Sequence, residues 1–286
     1  NNFVAGSTAG DSIIAGGNRN TLVGDNAGTA VTTGDNNVAL GYNAGDAITT
    51  GGFNTSVGTL SLSANTTADN NTAVGYNSLS ANTANNNTAV GYSSLGLNTT
   101  ASNNTAFGYA SLAANATGAS NVALGAYALD ANTTADNNTA IGYSSLGANT
   151  IGTANVALGA FALDANTEGD SNTAVGVNAL SGNTTGTLNT LVGKNAGLLI
   201  TTGSSNVALG ALALDATTTA NNNTAIGLSS LSANTTGAQN TGLGMNAGNT
   251  VTTGSNLTLV GYNAAPSAVD TTNEVTLGNS SVATFR

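Results

Sequence analysis

Three aspartates, Asp130, Asp164 and Asp215, each stand five residues after a glycine in stretches that share the sequence Val-Ala-Leu-Gly-Ala. Carboxylates at a recurring position could hold Ca²⁺ through hard oxygen ligands. The equivalent position in adjacent copies holds Gly147 and Ser181, however, so no second acid is stacked beside them. The Gly-Gly-x-Gly-x-Asp pattern of calcium-binding rolls is also missing. These aspartates read as turn residues, and no metal is expected. Catalysis has little else to draw on: there is no His and no Cys, Lys194 is the one lysine, and no acids pair at a fixed spacing. General acid–base work needs titratable groups in perturbed surroundings, so neither an enzyme nor a bound cofactor is expected.

Aromatic and hydroxyl side chains offer binding chemistry instead. Tyr42, Tyr76, Tyr92, Tyr109, Tyr143 and Tyr262 each follow a glycine. Four of them, Tyr76, Tyr92, Tyr109 and Tyr143, are candidate glycan contacts by ring stacking, and they could equally fill grooves between chains. A Thr recurs three residues before the same glycine, as at Thr55, Thr72, Thr88 and Thr105, but exchanges with Val38, Val122, Val156 and Val207. A flat Thr array could order water as an ice-binding face does, whereas exchange with an isosteric strand former favours packing. Asn-x-Ser/Thr triplets at Asn65, Asn98, Asn132 and Asn234 follow almost automatically from an Asn- and Thr-rich chain.

What positions these residues is a repeat. Sixteen glycines from Gly24 to Gly278 are spaced by 17 residues, except for 16 between Gly75 and Gly91. A fixed period of this length implies one layer per repeat, stacked on its neighbours because no layer can bury its own face. The density of Gly, Asn and Thr, without a sustained 3.6-residue apolar stripe, argues against helix. The expected fold is therefore all-β: a parallel β-solenoid of about sixteen rungs over residues 20–265, after an irregular cap or upstream junction at 1–19. Pro266 opens a C-terminal exit segment, 266–286, that carries a last rung.

Two apolar columns are the expected core. One precedes the glycine, as at Val74, Val90, Phe107, Leu124, Ile141, Leu158 and Val175. The other follows it by four residues, as at Leu79, Leu95 and Leu112. A corner between them would turn both inward, giving two short strands and a polar loop per layer. The residue two before the glycine, mostly Ala, then faces the other way, toward another chain. An Asn four before the glycine in all but the last two repeats, including Asn71, Asn87, Asn104, Asn121, Asn138, Asn155 and Asn172, is expected to form a structural ladder at a corner. Layers with Gly28, Gly45, Gly197 and Gly248 in place of the Leu continue into Val31, Ile48, Ile200 and Val251 and suggest a second kind of corner.

Composition narrows the partners. With Arg19, Lys194 and Arg286 as the only bases and a net charge of -10, phosphate backbones find no electrostatic footing, so nucleic acid is not expected. No run approaches the ~18 apolar residues of a membrane span, and no membrane insertion is expected. Small side chains and 4% aromatics make a thin core, for which self-association is the usual remedy. The first residue is Asn1, which points to a fragment or a processed product.

The phrase Asn71-Thr72-Ala73-Val74-Gly75-Tyr76-Asn77-Ser78-Leu79, with variants such as Asn121-Val122-Ala123-Leu124-Gly125, resembles the head repeats of trimeric autotransporter adhesins. It is still more similar to the repeat regions of phage and bacterial tail-fibre-type proteins that precede an intramolecular chaperone. The ending Asn273 to Arg286 is similar to the passage leading into that chaperone. The resemblance spans nearly the whole chain and implies a left-handed, homotrimeric β-roll. It also implies an extracellular place on a virion tail or cell surface, where a non-enzymatic fibre supports attachment to a host receptor or glycan. An end-to-end surface filament, an ice-binding solenoid and a glycan-degrading spike remain the alternatives.

Overall fold

The computed structural model describes residues 1–282 and resolves into two compact units, Asn1–Ala140 and Ile141–Arg286. Residues 283–286, with Phe285 and Arg286 of the exit segment, lie outside the described residues. Each unit is an all-β parallel solenoid, about sixteen turns of a roughly 17-residue period in all, and no helix occurs among the described residues. In the first unit, Phe3–Ala5, Thr21–Val23, Val38–Leu40, Thr55–Val57, Thr72–Val74, Thr88–Val90, Thr105–Phe107 and Val122–Leu124 pair in chain order, all parallel. In the second, the strands from Val156–Leu158 to Val275–Leu277 do the same. Like residues sit over like residues: Thr72 pairs with Thr88, Ala73 with Ala89 and Val74 with Val90.

Every turn has one three-residue strand, where two were expected. The remaining residues form corners, yet their backbones still bond from turn to turn. Leu79 donates its N–H to Ser94 O at 3.1 Å and Thr83 to Thr99 O at 2.8 Å, while Asn77 donates to Thr59 O on the other side at 3.1 Å. Backbone groups away from the strands are thereby satisfied by adjacent turns. The corners turn on left-handed residues: in the layer of Gly75, Asn77, Leu79 and Asn86 have φ of 59°, 49° and 62°. Asn tolerates this region, whereas Leu is strained there by about 1–2 kcal/mol, a cost offset by complete burial of Leu79.

The core is arranged differently from the expectation. Alternation in a three-residue strand sends one side chain in and two out. The inward one is the Ala, as at Ala73, Ala89, Ala106, Ala123, Ala140, Ala157 and Ala174, all fully buried. Val74, Val90, Ile141 and Val175 are half-buried on the outside, and Phe107, Leu124 and Leu158 are exposed. This is a correction: the column before the glycine is not core. Leu79, Leu95 and Leu112, by contrast, are fully buried. The interior of a turn has no room for large side chains at both the Ala position and the Leu position. Where the Ala position becomes Leu22 or Leu191, the Leu position becomes Gly28 or Gly197, and a Cβ on either glycine would lie within 2.7 Å of a methyl of that leucine. Val31, Ile48, Ile200 and Val251 complete the filling of the four layers with a glycine there and are buried.

The recurring glycine is a separate requirement. Gly108 has φ +144°, and a Cβ there would meet the carbonyl oxygen of Gly125 in the next turn at 2.5 Å. No other residue both adopts that conformation readily and lets two backbones approach so closely.

Irregular spacings are absorbed at the corners. Thr72–Val74 and Thr88–Val90 stay in register across the 16-residue interval, because one residue is lost between Thr83 and Ala84. There the Asn82 amide donates to Ala84 O two residues on, whereas Asn65 reaches Ala68 O three residues on. The stretch 1–19, expected as an irregular cap, contains the strand Phe3–Ala5 in parallel register with Thr21–Val23, at an 18-residue offset. In the last turn Glu274 replaces the Asn, and its exposed carboxylate accepts hydrogen bonds from Ser267 and Thr276.

Candidate functional surface

The interior polar groups are structural. Asn71, Asn87, Asn104, Asn121, Asn138, Asn155 and Asn172 are fully buried. The Asn104 side-chain oxygen accepts the backbone N–H of Asn121 in the next turn at 2.9 Å, and its amide donates to Gly118 O, 14 residues on in its own turn, at 2.9 Å. One side chain thus joins two turns and also ties the start of its own coil to its end. The column is a backbone-to-amide ladder more than a stack of amides.

A second column does hydrogen-bond amide to amide. Asn98 donates to Asn82, Asn115 to Asn98 and Asn132 to Asn115 at 2.7–2.8 Å. In the other unit it ends where apolar residues take its place: the side-chain oxygens of Asn183 and Asn234 are buried without a protein partner, and the following turns carry Ile200 and Val251. Asn65, Asn98, Asn132 and Asn234, the residues of the Asn-x-Ser/Thr triplets, all belong to this buried column. A glycan on any of them is incompatible with the fold.

The aspartates do not converge. Among the described residues no three acidic, His or Cys side chains gather as metal ligands would. Burial pushes the carboxyls of Asp46, Asp130, Asp164 and Asp215 above the ordinary carboxylate range, against hydrogen bonds from their own and the following amides that pull them back. Asp130 edges a shallow depression of about 300 Å³ with Asn77, Ser93, Gly96, Leu97 and Ala113, in which it is the sole titratable group.

What faces outward is more distinctive. The two outer positions of every strand carry Thr or Val and then Val, Leu, Ile or Phe, with no charged residue anywhere in either column from Thr21 to Leu277. Leu40, Phe107 and Leu124 in the first unit are 47%, 55% and 39% exposed. Leu158, Leu209 and Leu243 are exposed at the equivalent positions of the second.

Beside this ribbon runs the tyrosine column. Tyr76 and Tyr92 stack with centroids 5.3 Å apart and planes 16° apart, and Tyr92 and Tyr109 at 5.1 Å and 8°. Tyr127 meets Tyr109 edge-on at 5.3 Å, and in the second unit Tyr143 meets Phe161 edge-on at 5.3 Å. Tyr92 therefore has an aromatic ring on each face, which leaves its edge and hydroxyl for any ligand. Tyr127 and Phe161 were not read as part of this set from sequence, because they stand two residues after the glycine where the others stand one. Their backbone has the left-handed φ that this position also takes in neighbouring turns, 59° here as at Asn77, and from it their rings meet the column edge-on.

Fold and surface together define a tandem-repeat parallel β-solenoid with a polar-laddered interior and an apolar outer sheet face. No protein-family model matches the chain, and no curated protein matches it.

Proposed function

We propose that the chain is a structural, non-enzymatic solenoid that self-associates through the outer face of its sheet, as the shaft of an extracellular fibre supporting attachment on a virion tail or cell surface. The observation that carries this reading is the charge-free ribbon of outward-facing Val, Leu, Ile and Phe, half-buried in some turns and exposed in others, repeated along the strands. Exposed apolar faces rimmed by polar residues mark interaction surfaces. A ribbon repeating with the turns is best covered by a second copy with the same repeat. The contact face of the proposed homotrimer is thus the Val/Leu column, since the Ala column is interior.

Native mass spectrometry of dilute protein is the test. A homotrimer is expected, and Phe107→Lys combined with Val90→Lys should release monomers that keep their β circular dichroism. A parent protein that is monomeric at micromolar concentration would sink the reading.

Attachment to a receptor or glycan belongs to the same proposal. Because the stacked tyrosines present edges and hydroxyls, a glycan here would be held chiefly by hydrogen bonds, and Tyr92→Ala should weaken glycan-array binding. One observation favours a second function: Thr55, Thr72, Thr88 and Thr105 are half-exposed in register on the outer face. Thermal hysteresis in freezing solutions would support ice binding, and its absence would remove it.

A further inference from the structure

We infer that Tyr76, Tyr92 and Tyr109 form an oxidative cross-linking site, at which one-electron oxidation couples neighbouring rings into dityrosine and staples consecutive turns covalently. Three observations carry it. The rings are within 5.1–5.3 Å and nearly parallel, so two radicals formed on adjacent turns are already in collision range. They are 47–49% exposed, open to a soluble oxidant. The chain has no Cys and no Trp, and Met245 is its one sulfur, so tyrosine is the principal sink for oxidising equivalents.

The chemistry balances with hydrogen peroxide and a haem peroxidase as the oxidising system. Each of two phenols gives up one electron and its hydroxyl proton. The two phenoxyl radicals join through the carbons ortho to oxygen, forming one C–C bond. The hydrogens on those carbons then move to the oxygens and restore two phenols. Peroxide takes up the two electrons and two protons and, with cleavage of its O–O bond, leaves as two waters. Both partners lie in one chain, so the site stands apart from the self-association reading.

The test treats the full chain, at high dilution, with peroxide and peroxidase. Dityrosine fluorescence should appear without a change in chain mass on a denaturing gel. Peptide mapping should find Tyr76 joined to Tyr92, or Tyr92 to Tyr109, with two hydrogens lost. In a Tyr127→Phe background, which silences the edge-on Tyr109–Tyr127 pair, Tyr92→Phe keeps the ring and its stacking but removes one phenol from both stacked pairs, so intrachain product should fall at least fivefold, while Tyr262→Phe should leave it unchanged. Cross-links that form mainly between chains in proportion to concentration, or a Tyr92→Phe yield equal to that of the parent, would overturn the inference.

Discussion

Ala106 and Phe107 are neighbours on one strand, and the larger of the two is the one outside. Ala106 is fully buried and Phe107 is 55% exposed, and the same inversion holds along the column of Ala89 and Val90 or Ala123 and Leu124. Burial normally follows side-chain size, because each buried methylene contributes about 0.8 kcal/mol. Here the width of the coil overrides that preference. One wall of the turn supplies Leu112, and the facing strand has room only for a methyl group. The inner face is thus fixed by volume, a constraint the outer face does not share.

The sharpest break of that contrast is at the glycine that ends the strand. Gly108→Ala places a Cβ 2.5 Å from the carbonyl oxygen of Gly125, and the clash is with backbone that cannot swing aside. A loss on the order of 3 kcal/mol or more is expected. Chemical denaturation followed by circular dichroism reads it directly, and a cost below half of that would show that adjacent turns can separate.

Next in size is Ala106→Leu, which overpacks the inner face and should cost ~1–3 kcal/mol. The chain itself suggests the remedy, since Leu22 is accompanied by Gly28 and Leu191 by Gly197. The double variant Ala106→Leu with Leu112→Gly recreates that pair and also relieves Leu112 of its φ of 53°. It should be more stable than the sum of the single changes by at least ~1 kcal/mol in a double-mutant cycle. Additive costs would refute the shared-volume account. Phe107→Ala, on the outside of the same strand, should change the stability of an isolated chain by less than ~1 kcal/mol and act on association instead.

These paired sites also show what the chain's residue order discloses and what it conceals. The period is legible because Gly24 to Gly278 must stack, and the Asn and Leu columns are legible because Asn104 and Leu112 recur at fixed distances from those glycines. The side of the strand that faces inward is not legible, because a three-residue strand is too short for alternation to show against its flanks. It depends on corners at which Leu79, Leu95 and Leu112 take left-handed backbone angles, and leucine carries no propensity that announces this. The aromatic surface was half legible: Tyr76, Tyr92 and Tyr109 share a column, whereas Tyr127 and Phe161 meet it edge-on from the following position, which the period alone does not place beside it.

The smallest expected effect concerns the few charges that lie partly inside. Burial raises the carboxyl of Asp130 above its unfolded value, so the folded state holds that proton more tightly than the unfolded chain does. Its contribution to stability is therefore fully present below the unfolded value and is lost as pH rises through the higher folded value. At neutral pH the ionised Asp130 is a mild burden that an uncharged outer-face residue such as Thr105 never imposes. Asp130→Asn should raise the melting temperature slightly at pH 7, and the gap between variant and parent should narrow as both are acidified into the ordinary carboxylate range. Glu274 provides the opposite sign: the hydrogen bond from Ser267 is the main reason its carboxyl is held low, so Glu274→Gln should lose a small amount of stability at pH 7 and none once the parent is protonated. Melting curves at several pH values in constant salt distinguish the two. A gap for Asp130→Asn that widens on acidification would mean that the carboxylate is favourably held, and that the corner beside Leu129 is wetter than the inner face it borders.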